Sequence, residues 1–70
     1  MRLFVKGNEL NIKCLHPECI EFIEADLSKI EKKEIINCKA GHSHMIEVVF
    51  KVADMYELKI NPIGSEGSYL

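Results

Sequence analysis

Two short segments of the chain decide its fold: Cys14-Leu-His-Pro-Glu-Cys19 and Cys38-Lys-Ala-Gly-His42, with 18 residues between them. A pair of soft ligands on one tight loop, followed about 15 to 20 residues later by a second pair, is the spacing with which two loops bind one tetrahedral zinc ion. The sequence therefore predicts one structural Zn²⁺ held by Cys14, Cys19, Cys38 and His42.

The two loops are short enough to point both of their donors at one ion. Four residues separate the first pair and three separate the second, and each loop must reverse so that its donors approach an ion about 2.0 to 2.3 Å away. Pro17 favours the reversal in the first loop, and Gly41 can supply a positive φ in the second. His42 is the favoured fourth ligand, with His44 and His16 as alternatives.

Three other roles for the cysteines compete with zinc. They are buried apolar side chains, or a Cys14–Cys19 disulfide that leaves an odd cysteine, or a catalytic thiol, Cys38, activated by His42 or His44. The last role needs a cleft that 70 residues can hardly enclose. We therefore expect no catalytic residues and no enzyme.

The ligand types favour a structural site over a hydrolytic one. Three thiolates and an imidazole close the coordination of zinc, whereas hydrolytic zinc keeps one position open for water. Glu18 is the only acidic residue inside either loop, and a solvated carboxylate is its expected role. A chain of 70 residues also has a small core, so a metal that holds the fold together is expected.

Composition predicts a soluble globular domain. Nine basic and eleven acidic residues give a net charge of −2, and 47% of residues are hydrophobic without a run of the length that spans a membrane. This balance does not favour sequence-independent binding to nucleic acid. Reduced thiols without a visible signal peptide lead us to expect a cytoplasmic protein.

Alternating apolar residues predict a mainly β fold with a small antiparallel sheet. We expect a hairpin over residues 2–13, a strand leaving Cys19, a strand over residues 34–38 and a hairpin over residues 44–60. In the last hairpin, the apolar residues predicted on one face are Ile46, Val48, Phe50, Val52, Tyr56, Leu58 and Ile60. Residues 26–33 are either one turn of helix, capped by Asp26, or a bend.

The chain divides into one predicted domain and a tail. Asn61-Pro62 is expected to end the sheet because proline donates no hydrogen bond to a ladder. Residues 1–62 then form a single zinc-ribbon-like domain, and residues 63–70 form a flexible C-terminal tail.

With two ligand loops at the tips of hairpins, followed by a long strand, residues 10–60 resemble a zinc ribbon. Each loop of that family typically reads Cys-x-x-Cys, so this chain departs from it in its longer first loop, in Ile20 where glycine is common, and in His42. The resemblance implies a structural zinc and a sheet face that contacts RNA polymerase, ribosomal RNA, DNA or another protein.

Two functions follow from this resemblance. The first is a non-catalytic zinc-binding adaptor for another protein, expected to be a small regulator of the transcription apparatus. Its partner would cover the apolar residues of a second sheet face: Ile23, Ile36, Met45, Val49 and Met55. A second copy of the chain is another candidate partner. The alternative is a nucleic-acid-binding ribbon, in which Phe4 or Tyr56 stacks on a base and four lysines converge: Lys29, Lys32, Lys33 and Lys39.

Overall fold

The computed structural model describes residues 1–64, and they form a mainly β fold, as the sequence predicts. The strands are β1 (Arg2–Lys6), β2 (Glu9–Lys13), β3 (Phe22–Asp26), β4 (Lys33–Asn37), β5 (Ser43–Val52) and β6 (Met55–Ile63). They make a four-stranded sheet of order β1-β6-β5-β4 and a two-stranded sheet, β2-β3, and every pairing is antiparallel. Within residues 1–64, no helix has the length and apolarity needed to cross a membrane.

The first two strands belong to different sheets, so the predicted hairpin over residues 2–13 is wrong. β1 pairs with β6, and β2 pairs with β3. The chain changes sheets at Gly7, which has a φ of +88° and donates its N–H to the carbonyl of Asp54 at 2.6 Å. This positive φ suits glycine, which has no Cβ to clash with the backbone.

The core lies between the two sheets. Side chains from both sheets and from the 3-10 turn Leu27–Lys29 are removed almost completely from water: Leu10, Ile23, Leu27, Ile46, Leu58 and Ile60. Burying one such side chain stabilises the fold by about 1.5 to 3 kcal/mol. The buried face predicted for β6 is confirmed, because Tyr56, Leu58 and Ile60 are all buried.

A β-bulge divides β5 into two halves that face opposite ways. The register with β6 shifts between Val48, which pairs with Leu58, and Phe50, which pairs with Glu57. An extra residue reverses the alternation of side chains beyond it. Ile46 therefore lies in the core while Phe50 is 59% exposed, and the prediction of one continuous apolar face along β5 is wrong.

Ile23 of β3 lies in the core and not on the partner-covered second face that the sequence predicted for it. Ile20 and Phe22 are exposed, whereas Ile23 is completely buried. Ile36 packs against the core as well, so the apolar set predicted for a second sheet face is divided between the core and the surface. Only Met45, Val49 and Met55 of that set lie outside the core cluster.

The segment after β3 forms the turn of helix that the sequence offered as one alternative. It is the 3-10 turn Leu27–Lys29, and the carboxylate of Asp26 accepts hydrogen bonds from the backbone N–H of Ser28 at 3.0 Å and from its hydroxyl at 2.6 Å. Both bonds stabilise the charged carboxylate and lower the pKa of Asp26.

The last strand runs through Pro62 to Ile63, so the prediction that the sheet ends at Asn61-Pro62 is wrong. β1 pairs with β6 only as far as Lys59, and Pro62 therefore lies where β6 has β5 alone as a neighbour. Proline is tolerated at such an edge. Most of the predicted tail, residues 65–70, lies outside the described residues, and the domain boundary stays a prediction.

A hydrogen bond joins the four-stranded sheet to the β1–β2 connection. Tyr56 is 2% exposed, and its hydroxyl donates to the side-chain oxygen of Asn8 at 2.9 Å. Tyr56→Phe should lower the free energy of unfolding by about 1 kcal/mol in urea denaturation, since one net hydrogen bond is lost. In the double variant, Asn8→Ala should lower the free energy of unfolding little beyond the loss already caused by Tyr56→Phe. If the losses of the two single variants add fully, the hydrogen bond does not contribute to stability.

Candidate metal centre

The first ligand loop joins the paired strands β2 and β3. Its ends are held by a hydrogen bond from the N–H of Cys14 to the carbonyl of Glu21 at 2.8 Å, and the N–H of Cys19 donates to the carbonyl of His16 at 3.3 Å. Glu18 has a φ of +66°, which is uncommon for a residue other than glycine, asparagine or aspartate. Glu18 therefore adopts the left-handed conformation of this turn, and the two cysteine side chains point to the same side.

The second ligand loop joins β4 and β5. The N–H of Cys38 donates to the carbonyl of His42 at 2.9 Å, and the N–H of Gly41 donates to the carbonyl of Cys38 at 2.9 Å. The φ of Gly41 is +91°, as the sequence predicts. Each predicted ligand loop thus lies at the tip of an antiparallel strand pair.

The four predicted ligands meet between these two tips. The donor atoms of Cys14, Cys19, Cys38 and His42 all lie within 4.8 Å of one another. The Sγ atoms of Cys19 and Cys38 are 3.9 Å apart, and Nδ1 of His42 lies 3.7 Å from the Sγ atoms of Cys14 and of Cys38.

The three distances of 3.7 to 3.9 Å are close to the edges of a zinc tetrahedron, and the 4.8 Å within which all four donors lie is somewhat wider. With Zn–S and Zn–N bonds of about 2.3 and 2.0 Å, the S···S and S···N edges are about 3.8 and 3.5 Å. All three cysteines are free and buried, so the alternative of a Cys14–Cys19 disulfide is wrong. The cluster is close enough to hold one metal ion, and its donors fit zinc.

The thiols of the cluster differ in acidity. Burial raises the pKa of Cys14 to about 11, because a buried thiolate loses its hydration. Burial also acts to raise the pKa of Cys38, but hydrogen bonds from the backbone of His42 and Ala40 and from the other two cysteines outweigh it and lower that pKa. A metal that binds Cys14 as a thiolate therefore displaces its proton.

All three histidines of the chain lie at this centre. His16, only 7% exposed, stacks on His42 with ring centroids 4.8 Å apart and meets His44 edge-on at 5.1 Å. Its Nε2 is 3.2 Å from the carbonyl oxygen of Ser43, to which it can donate. His16 therefore packs the two loops together and places its ring against the candidate ligand His42.

His44 is completely buried behind Cys14. Its Nε2 accepts a hydrogen bond from the backbone N–H of Leu15 at 3.2 Å and lies 3.4 Å from the Sγ of Cys14. Burial lowers the pKa of His44, and the nearby charge of His16 lowers it further, so the ring is neutral near pH 7. Because Nε2 accepts from Leu15, the neutral ring carries its proton on Nδ1, and Nε2 can also accept from the Cys14 thiol.

The sequence contained a signal for the position of His44. His44 alternates with Ile46 and Val48 along β5, and this periodicity places it on the core face. Among the described residues, its Nδ1 is the one buried side-chain nitrogen or oxygen without a hydrogen-bond partner. Such an atom is unusual in a core, and the polar contacts of the buried ring are therefore made by Nε2, with Leu15 and Cys14.

We expect His44→Leu to weaken zinc binding about 10- to 100-fold, the usual cost of losing a group that supports a ligand. His44→Gln should retain more affinity because its amide oxygen can accept the Leu15 N–H from about the position of Nε2. Competition with a chromophoric chelator measures both affinities, with His42→Ala as the comparison. If His44→Leu abolishes binding and His42→Ala does not, His44 is the fourth ligand.

Comparison of the chain with protein-family models, with curated proteins and with solved structures finds no match. The geometry itself shows a small β domain whose three cysteines and one histidine lie close enough to bind one metal ion. This arrangement is compatible with the resemblance to a zinc ribbon.

Proposed function

We propose that the chain is a non-catalytic domain that binds one structural zinc ion through Cys14, Cys19, Cys38 and His42. The observation that carries the proposal is the meeting of these four donors within 4.8 Å at the tips of two strand pairs. When bound, zinc supplies a crosslink between the two loops. The chain's own contribution is three buried thiols and an imidazole already brought within 4.8 Å of one another.

The donor set supports a structural role over a catalytic one. Four protein donors complete the coordination of zinc and leave no position for a reacting water. X-ray absorption at the zinc edge tests this directly, and we expect three sulfur atoms and one nitrogen at about 2.3 and 2.0 Å. A bound water in place of one of the four donors would contradict the proposal and reopen an enzymatic role.

We further propose that the domain is a cytoplasmic adaptor that binds another protein, as a small regulator of the transcription apparatus. Support comes from the resemblance to zinc ribbons and from apolar side chains exposed on the four-stranded sheet. Phe4, Phe50, Val52 and Met55 are each at least 40% exposed, and exposed apolar groups of this size are typical of binding surfaces when they lie together.

The nucleic-acid alternative has less support. Tyr56, one of its two candidate stacking residues, is 2% exposed and donates its hydroxyl to Asn8. Lys39 lies 3.5 Å from the carboxylate of Glu24, which reduces its availability to a phosphate. A titration with single- and double-stranded probes at low salt separates the two functions, because binding through phosphates weakens steeply as salt rises.

A further inference from the structure

The four-stranded sheet has one face on the core and one face in solvent. The strand registers place these residues of the described chain on the solvent face: Arg2, Phe4, Lys6, Lys33, Ile35, Met45, Glu47, Phe50, Val52, Met55, Glu57 and Lys59. Phe4 and Phe50 lie on either side of Glu57, to which both are paired. They are 66% and 59% exposed, so two aromatic rings stand in water on the same face.

Beside Phe50, one edge of β5 has no neighbouring strand. The pairing of β4 with β5 stops at Lys33 and Glu47, and one further bond joins the N–H of Val48 to the carbonyl of Lys32 at 2.8 Å. β5 continues to Val52 with β6 on its other side. Within residues 1–64, no strand pairs with residues 49–52 on the β4 side. Such an edge can accept an added strand.

The solvent face carries positive charge although the chain is negative. Its cations are Arg2, Lys6, Lys33 and Lys59, and its anions are Glu47 and Glu57, a surplus of two positive charges on a chain of net charge −2. Arg2 and Glu57 form an ion pair at 3.2 Å. Lys51 adds a cation within the open edge, on the other face of the sheet, where it pairs with Tyr56 and its Nζ lies 5.2 Å from the Tyr56 ring. An acidic partner complements this surface.

We propose that residues 49–52 of β5 bind an extended acidic peptide segment of a partner protein, which adds as a strand in line with β4. The proposal rests on the adaptor role and names the chemistry of its partner. Backbone groups along residues 49–52 would bond to the peptide, Phe50 and Val52 would contact its apolar side chains, and Lys51, on the opposite face of the strand, would attract its carboxylates. A nucleic acid has no backbone that matches a strand edge, and a second copy would bring two cationic faces together.

The probe is a seven-residue peptide of alternating Glu and Val with blocked ends, titrated into ¹⁵N-labelled, zinc-loaded protein. We expect the amide signals of residues 49–52 to shift as peptide is added and to saturate, so that a dissociation constant can be fitted to the shifts. Methylating alternate backbone nitrogens of the peptide should weaken binding at least about tenfold, because each lost hydrogen bond costs up to about a factor of ten. Replacing its Glu residues with Lys should abolish the shifts.

Two variants locate the site on the protein. Phe50→Thr, which keeps a residue suited to strands, should weaken peptide binding about tenfold without changing the circular dichroism spectrum or the zinc content. Ile35→Thr is the matched control, since Ile35 is 52% exposed on the same face but lies on β4. The affinity of this variant for the peptide should be unchanged. Equal affinities of the two variants would overturn the proposal.

Other outcomes would also overturn it. No shifts at about 1 mM peptide, or equal binding of the methylated peptide, would exclude strand addition of an acidic segment. An oligo(dT) probe that shifts the amides of Phe4 and Phe50 where the peptide does not would assign the face to nucleic acid. A dimer seen by sedimentation, with these amides at its interface, would assign the edge to a second copy. Because zinc is measured in the same samples, zinc-free protein that binds the peptide would contradict only the metal site.

Discussion

Cys38→Ser should leave the chain largely unfolded. Cys38 is 4% exposed, and its Sγ lies 3.9 Å from the Sγ of Cys19 and 3.7 Å from Nδ1 of His42. Structural zinc contributes on the order of 10 kcal/mol in small finger peptides, whereas a core of this size rarely supplies more than about 3 to 5 kcal/mol. Loss of one ligand therefore removes more stability than the rest of the fold provides.

Far-UV circular dichroism and zinc content measure this loss together. The matched control is Lys39→Ser, which introduces the same residue one position further along the same loop. Lys39 is exposed, and its ion pair with Glu24 is between two exposed side chains, so its removal should cost less than about 1 kcal/mol. A Cys38→Ser chain with one zinc and the strand spectrum of the unaltered protein would show that Cys38 is not a ligand.

Ile23→Ala should lower the free energy of unfolding by about 3 to 4 kcal/mol. Ile23 is completely buried on β3, and truncation removes apolar contacts and leaves a cavity between the two sheets. Urea denaturation of the zinc-loaded protein measures the loss. In so small a domain, much of the remaining stability would then come from the metal.

Ile20 provides a control of the same residue type. It is 76% exposed, so Ile20→Ala should change the free energy of unfolding by no more than about 0.5 kcal/mol. Equal losses at positions 20 and 23 would contradict the packing of β3 against the four-stranded sheet. The sequence predicted Ile23 on a second sheet face covered by a partner, so this pair also tests where the structure departs from the prediction.

The spacing of soft ligands predicted the two loops well because it depends on short stretches of chain. Donors four and five residues apart must lie on one turn, and only Glu18, with its φ of +66°, was not anticipated as the residue that makes the turn. The fold class followed from alternation in the same local way. The buried face of β6 was correct because its apolar residues alternate with polar ones without interruption.

The predictions that failed depend on contacts between distant residues. β1 resembles a hairpin partner of β2 in sequence, but its partner is β6, whose paired residues are 49 to 57 positions further along the chain. The bulge after Val48 reverses the direction of Phe50 and Val52, and a sequence of consecutive apolar residues does not show where such a bulge occurs. On β3, apolar residues occur at both odd and even positions, so alternation alone does not show which face of the strand is buried. That face is decided by the direction in which the chain leaves the first loop.

The most direct test of the central claim is native mass spectrometry before and after treatment with a strong chelator, with circular dichroism on the same samples. We predict one zinc per chain that is lost together with the strand signal, because the metal holds together the two loops from which both sheets extend. A metal-free chain that remains fully folded would contradict the account, and the three buried cysteines would then be core side chains.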